Sequence, residues 1–128
     1  MREIEMDKIL LLGCGGFLGA NARYWLDRWI MNKLGVSFPW GTLIINVSGS
    51  FLLGLLVVLL YEHGVDTRWR LFAAIGFLGA YTTFSTFTFE TMTLITDGSF
   101  ARAGLNVIVS VTVGMIAVWL GALVAKLI

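Results

Sequence analysis

Charge is scarce in this chain. Only 13% of its 128 residues are Asp, Glu, Lys or Arg, against roughly a quarter in an ordinary soluble domain. Hydrophobic residues make up 58% and the mean hydropathy is +0.86. These values exclude a soluble globular domain and imply an integral membrane protein. The formal net charge of +1 supplies no basic face, so no nucleic-acid partner is expected. One cysteine, Cys14, excludes an intrachain disulfide, and one histidine, His63, cannot build a Cys/His metal site with it. No phosphate-binding glycine loop with lysine and no zinc-protease motif is present, so an enzyme is not expected. The only proline, Pro39, falls in a short connection over residues 34–40 beside Trp40.

What remains is apolar sequence in four blocks, each near the ~20 residues needed to cross a bilayer. The first runs from about Lys8 to Met31, the second from Gly41 to about Tyr61. The third runs from Trp69 and Arg70 to about Ile95, and the fourth from Phe100 or Gly104 to Leu127. A single all-α transmembrane domain over residues 1–128 accounts for the pattern. The start, MREIEMDK, is acidic, whereas a secretory signal wants a positive beginning. A retained first span is therefore expected, although Ala20 and Ala22 mimic a cleavage site. Gly15 and Gly19 form a small-xxx-small pair that lets a second helix approach, and Gly114 and Gly121 recur at a heptad interval. His63 reads as a solvated loop residue.

Residues 76–90, GFLGAYTTFSTFTFE, stand apart. Thr82, Thr83, Ser85, Thr86 and Thr88 interleave with Tyr81, Phe84, Phe87 and Phe89, and Glu90 closes the stretch. Glycines followed by β-branched threonines weaken a helix. The pattern predicts an interruption near Gly79 to Thr83, and lipid tolerates irregular backbone only where it is buried in protein or lines a cavity. Such a break frees carbonyls and N–H groups at membrane depth, where ions are bound. An ordinary packing helix, its hydroxyls bonded to its own carbonyls, explains the density of hydroxyls and aromatics less well.

Other polar residues carry two readings each. Arg23 either snorkels to the headgroups or sets positive charge at the mouth of an aqueous vestibule. Asn46 either makes an interhelical hydrogen bond or faces that vestibule. Asp27, Arg28 and Lys33 lie further out, at the interface. With four spans, Arg2, Lys8, Arg68, Arg70 and Lys126 share one side, and Arg23, Arg28, Lys33 and Arg102 the other. Five against four gives no clear positive-inside signal, so insertion in both orientations is expected. Four helices are also too few to insulate a pore. An antiparallel homodimer satisfies both observations.

Three blocks, GGFLGANARY at Gly15 to Tyr24, GTLIINVSGSFLLG at Gly41 to Gly54, and residues 76–90, resemble the Fluc (CrcB) family of fluoride channels. The resemblance covers essentially the whole chain and the third block is the most specific. It implies an antiparallel, dual-topology homodimer in the cytoplasmic membrane that exports fluoride passively through two pores, and so protects against fluoride toxicity. It also implies a structural, untransported sodium ion held by backbone carbonyls of Gly79 and Thr82. It places Phe84 and Phe87, Asn46, Ser85, Thr86, Ser110 and Glu90 on the fluoride path, and Arg23 in the vestibule. On the residues alone, Phe84 and Phe87 would be read as packing. Gly114 and Val118 stand where some members carry hydroxyls, so the polar track beyond Ser110 is sparse.

Two other functions compete. A small dual-topology multidrug exporter has a similar size and span count. That mechanism wants an acidic residue in the first apolar run, where this chain has none. A non-transporting assembly subunit explains the glycines and leaves the TTFSTF block unexplained.

Overall fold

The chain is described from a computed structural model covering residues 2–62, 64 and 66–128, with side chains from residue 5 onward. His63 and the side chain of Arg2, both used above, lie outside the described residues. Regular structure among these residues is helical throughout. Helix α1 spans Arg2–Leu34 and α2 Trp40–Glu62. A third segment, Thr67–Thr96, is composite. It comprises α3 (Thr67–Trp69), a π-helical stretch (Arg70–Leu78), α4 (Gly79–Tyr81) and α5 (Phe84–Thr96). Helix α6 spans Phe100–Leu127.

Local chemistry sets these boundaries. Gly35, at φ +83°, takes the left-handed position that ends α1, and its N–H donates to Met31 O at 2.9 Å. Gly98, at φ +74°, does the same after α5, where Ser99 N donates back to Leu94 O at 2.8 Å. The third segment begins at Thr67, slightly before the expected Trp69. The reason is Asp66, whose carboxylate accepts from Arg68 N at 2.9 Å and caps the first turn.

Three helical segments among the described residues, α2, Thr67–Thr96 and α6, are long and apolar enough to cross a membrane. Helix α1 has 33 residues, about 50 Å at 1.5 Å per residue, so it has the length. Asn21, Arg23, Asp27 and Arg28 dilute its apolar character.

Glycines set how the helices cross. Gly15 and Gly19 on α1 lie against the Phe72 and Phe77 carbonyls of the π-helical stretch, and a Cβ at either would overlap them. Gly54 on α2 meets the backbone of Val118 and Gly121 on α6 meets that of Phe51 in the same way. Gly114 is different: its nearest neighbour is Ser50 Oγ at 3.8 Å. The close α2–α6 crossing therefore uses one member of the expected α6 glycine pair. The core lies where Ile45 of α2 meets Leu78 and Tyr81, with Ala22, Leu26, Leu56 and Phe77 around them. Many large apolar side chains point outward, among them Phe17, Ile108, Met115 and Trp119. That is the inverse of a soluble surface and suits lipid or a second protein chain.

Candidate functional site

Helical backbone stops at Tyr81. Thr82 (φ −79°, ψ 155°) and Thr83 (φ −150°, ψ 120°) are extended, and α5 starts at Phe84. Gly79 itself is helical (φ −63°, ψ −34°), so the irregular backbone sits on the two threonines and not on the glycine. Two buried backbone groups of Thr83 without helical partners need others. Asn46 provides them from α2. Its Nδ2 donates to Thr83 O at 2.9 Å and its Oδ1 accepts from Thr83 N at 2.8 Å. One primary amide thus pairs with one residue as a neighbouring strand would. An amide has two N–H donors, so Asn46 keeps one for another acceptor.

This pairing determines which carbonyls are left. In an unbroken helix Thr83 N–H would donate to Gly79 O; here it donates to Asn46. Thr86 N–H would donate to Thr82 O; here it donates to Thr83 Oγ1 at 3.2 Å, an N-cap of α5. Gly79 and Thr82 therefore each lose the donor that a continuous helix supplies. Thr82 closes α4 instead, with N and Oγ1 both donating to Leu78 O, at 3.0 and 2.9 Å.

Hydroxyls cluster on the far side of the interruption. Thr83 Oγ1 donates to Thr86 Oγ1 at 3.0 Å and lies 3.3 Å from Ser85 Oγ. Thr83 is buried, while Ser85 and Thr86 are exposed on the protomer. Below, the Tyr81 ring is buried and its hydroxyl lies 2.9 Å from Ser48 Oγ. Because Ser48 donates to Ile45 O at 3.1 Å, the Tyr81 hydroxyl is the donor in that pair.

Two cavities flank Thr83. One, of about 240 Å³, brings together Asn46, Thr82, Thr83 and Phe84 with Gly49 and Ser50. The other, of about 350 Å³, is bounded by Arg23, Asp27, Thr83 and Thr86. Arg23 is half-buried there. Asp27, expected at the interface, turns inward: it helps bound this cavity, and its carboxylate lies against Gly41, where a Cβ would overlap it.

Phe84 and Phe87 lie with ring centroids 5.7 Å apart and planes tilted 44°. Phe84 is 77% exposed on the protomer and Phe87 8%. Glu90 accepts the Thr42 hydroxyl at 2.9 Å through Oε1, and its buried Oε2 has no partner among the described residues. Ser110 donates to Asn106 Oδ1 at 3.4 Å, Asn106 Nδ2 to Thr91 Oγ1 at 2.9 Å, and Thr91 Oγ1 to Phe87 O at 2.7 Å. A polar relay therefore runs from α6 to the backbone under Phe87. Asn106, almost wholly buried, is its hub.

Thr42, Thr83, Thr91 and Asn106 were not singled out as site residues from the sequence. Thr42 lies one turn before Asn46, and Asn106 one turn before Ser110. The sequence places Asn106 and Ser110 on one helix face by that spacing, but only Ser110 was assigned to the site; the Thr42–Asn46 spacing is the matching signal on α2.

Comparison with known proteins gives one consistent answer. A family model described as CrcB-like protein, Camphor Resistance (CrcB), matches residues 10–122. A protein of Solibacter usitatus named fluoride-specific ion channel FluC is 47% identical over 120 residues, covering 93% of this chain and 98% of that one. One of Rhodospirillum rubrum with the same name is 44% identical over 122 residues, covering 93% and 95%. One of Methylococcus capsulatus, also so named, is 46% identical over 119 residues, covering 92% of this chain. The chain spans about half, 52%, of the length of that last relative.

Proposed function

The chain belongs to the CrcB family, and from that membership we propose that it is a fluoride-selective channel of the cytoplasmic membrane. It lets fluoride leave the cell passively and performs no catalysis. In this reading α1 is a fourth membrane-spanning helix, with Arg23 and Asp27 turned toward the cavity beside Thr83. The third span is broken at Thr82 and Thr83, and the working unit is an antiparallel homodimer of two oppositely inserted chains. The exposed faces of Phe84 and Phe89 are what a second copy would cover.

The observation that carries the reading is the Asn46-locked interruption at Thr83. It assembles hydroxyl and amide donors inside an apolar segment. Fluoride is small and strongly hydrated, so a path for it must replace water with donors. Ser85, Thr86 and Ser110 offer hydroxyls, and Asn46 offers its second N–H. Aromatic edges carry partial positive charge, which Phe84 and Phe87 can present to an anion from one helix. Arg23 sets positive charge in the neighbouring cavity and raises the local anion concentration. Glu90, when ionised, only accepts. Its role beside the path is to orient donors such as the Thr42 hydroxyl.

The donor set also suits a structural sodium. Gly79 O and Thr82 O have lost their helical donors, and hard cations prefer oxygen ligands. Held by these carbonyls from both subunits, sodium would supply fixed positive charge at the dimer centre and would not itself be transported.

The test is fluoride efflux, followed with a fluoride-selective electrode, from liposomes containing only this purified chain. Rapid fluoride release with chloride retained is expected. Liposomes no leakier to fluoride than protein-free ones would overturn the reading.

A further inference from the structure

Away from the interruption, a groove of about 400 Å³ opens between α1 and the start of the third span, bounded by Leu11, Asp66, Arg68, Trp69 and Phe72. It adjoins a recess of about 180 Å³ that shares Leu11, Asp66 and Arg68 and adds Asp7 and Lys8. Its level in the bilayer follows from the fold. Thr67 begins a membrane-crossing segment, and Trp69 is mostly exposed beside Arg70, whose guanidinium lies 5.8 Å from the Tyr61 ring centroid. Exposed Trp and Tyr with arginine at the end of a span mark the headgroup region. The groove is thus charged at its mouth and apolar along Leu11, Trp69 and Phe72.

The charge pattern is specific. Two carboxylates, Asp7 and Asp66, alternate with two cations, Lys8 and Arg68. Arg68 and Asp7 are 3.7 Å apart with both side chains more than half exposed, a pair too loose to hold itself shut. Asp66 gives one oxygen to Arg68 N–H, and the other has no partner among the described residues.

We propose that this groove is a phospholipid site selective for an aminophospholipid of the phosphatidylethanolamine class. The phosphate diester faces Lys8 and Arg68, the primary ammonium faces Asp7 and Asp66, and an acyl chain lies along Leu11, Trp69 and Phe72. A primary ammonium has three N–H donors for carboxylates; a trimethylammonium has none. An anionic glycerol headgroup brings no cation to the two acids and meets their repulsion. The proposal rests on the membrane-spanning reading and not on the identity of the transported ion.

The experiment is thermal unfolding of the full chain in detergent, with phosphatidylethanolamine, phosphatidylcholine or phosphatidylglycerol of identical acyl chains added. Ethanolamine lipid should raise the midpoint by about 5 °C more than either other lipid near saturation. The Asp7→Asn/Asp66→Asn double variant keeps an N-cap at position 66, because Asn caps as well as Asp. In it the ranking should invert, with the glycerol lipid now best. The Lys8→Gln/Arg68→Gln variant should lose most of the shift from all three lipids, because each carries the phosphate that these cations face. Equal shifts from all three lipids in the native chain, a native ranking in the Asp7/Asp66 double variant, or undiminished shifts in the Lys8/Arg68 double variant would overturn the site. Should one variant fail to fold, the other still decides. Fluoride efflux from liposomes containing the same variants is expected unchanged, which separates this site from the channel.

Discussion

Removing the Asn46 amide tests the central geometry most directly. Asn46→Ala deletes two hydrogen bonds, of 2.9 and 2.8 Å, to a buried peptide group. Hydrogen bonds between membrane helices average about 0.6 kcal/mol and reach about 1.7, so the pair contributes about 1–3 kcal/mol. The loss has a partial remedy that harms function: freed from Asn46, Thr83 N–H can return to Gly79 O and extend the helix through the interruption. Stability should then fall by less than the full amount. A shift of this size in favour of the closed backbone should reduce fluoride flux about tenfold or more. Asn46→Asp keeps an acceptor for Thr83 N–H but, when ionised, offers neither Thr83 O nor fluoride a donor and repels the anion, so its flux should fall at least as far as that of the alanine variant. Thermal unfolding in detergent and electrode-recorded efflux from liposomes measure the two quantities. Native flux together with an unchanged unfolding midpoint in Asn46→Ala would refute the claim that this amide holds the interruption open.

Replacing Phe84 or Phe87 with Ile should sharply reduce fluoride flux while the dimer still elutes intact from size-exclusion chromatography. The Phe87 change should also lower the midpoint, because Phe87 is buried within the protomer. Gly121→Ala should destabilise by about 1–3 kcal/mol, since its Cβ meets the Phe51 backbone. Gly114→Ala has room and should be neutral or gain up to about 1 kcal/mol of helix propensity; matching unfolding midpoints for the two variants would contradict the crossing described. Carboxy-terminal reporters should be active on both sides of the membrane, and activity from one side only would reject dual insertion. Sodium tracer uptake measured during fluoride efflux should show no movement, whereas stoichiometric co-movement would make the ion cargo and not structure.

The all-helical class and the approximate limits of the second, third and fourth apolar segments were legible because apolar runs of membrane length leave few alternatives. So was the close approach at Gly15 and Gly19, since missing side chains are visible in sequence. The interruption was legible too, because glycine and threonine weaken a helix there, although Thr82 and Thr88 also bond back to their own helix's carbonyls as an ordinary packing helix would. The wiring of the site was not. Whether Thr42 faces Glu90, or Asn106 faces Thr91, depends on the rotation of each helix about its axis. Spacing along one helix does not fix its rotation against another. The inward turn of Asp27 was missed for the same reason. Residues 70–78, RLFAAIGFL, carry no mark of π-helical winding: each would serve equally in an α-helix, and the widened turns lie where the backbone rests on the α1 glycines. The early start at Thr67 was readable from Asp66, a strong capping residue, had local hydrogen bonding been weighed above hydropathy.

The Asn46–Thr83 pairing also bears on portability. The TTFSTF block looks like a self-contained motif, yet its shape is imposed from another helix. Thr83 draws its backbone partners from α2 and uses its own hydroxyl to start α5. Grafted into a host helix without a facing amide, the block would gain by returning Thr83 N–H to the carbonyl four residues back, and the interruption would heal. The smallest transferable unit is therefore two segments held in fixed register. An engineer who moves the threonines must bring the asparagine, and with it Gly49, where any Cβ would overlap the Thr82 methyl.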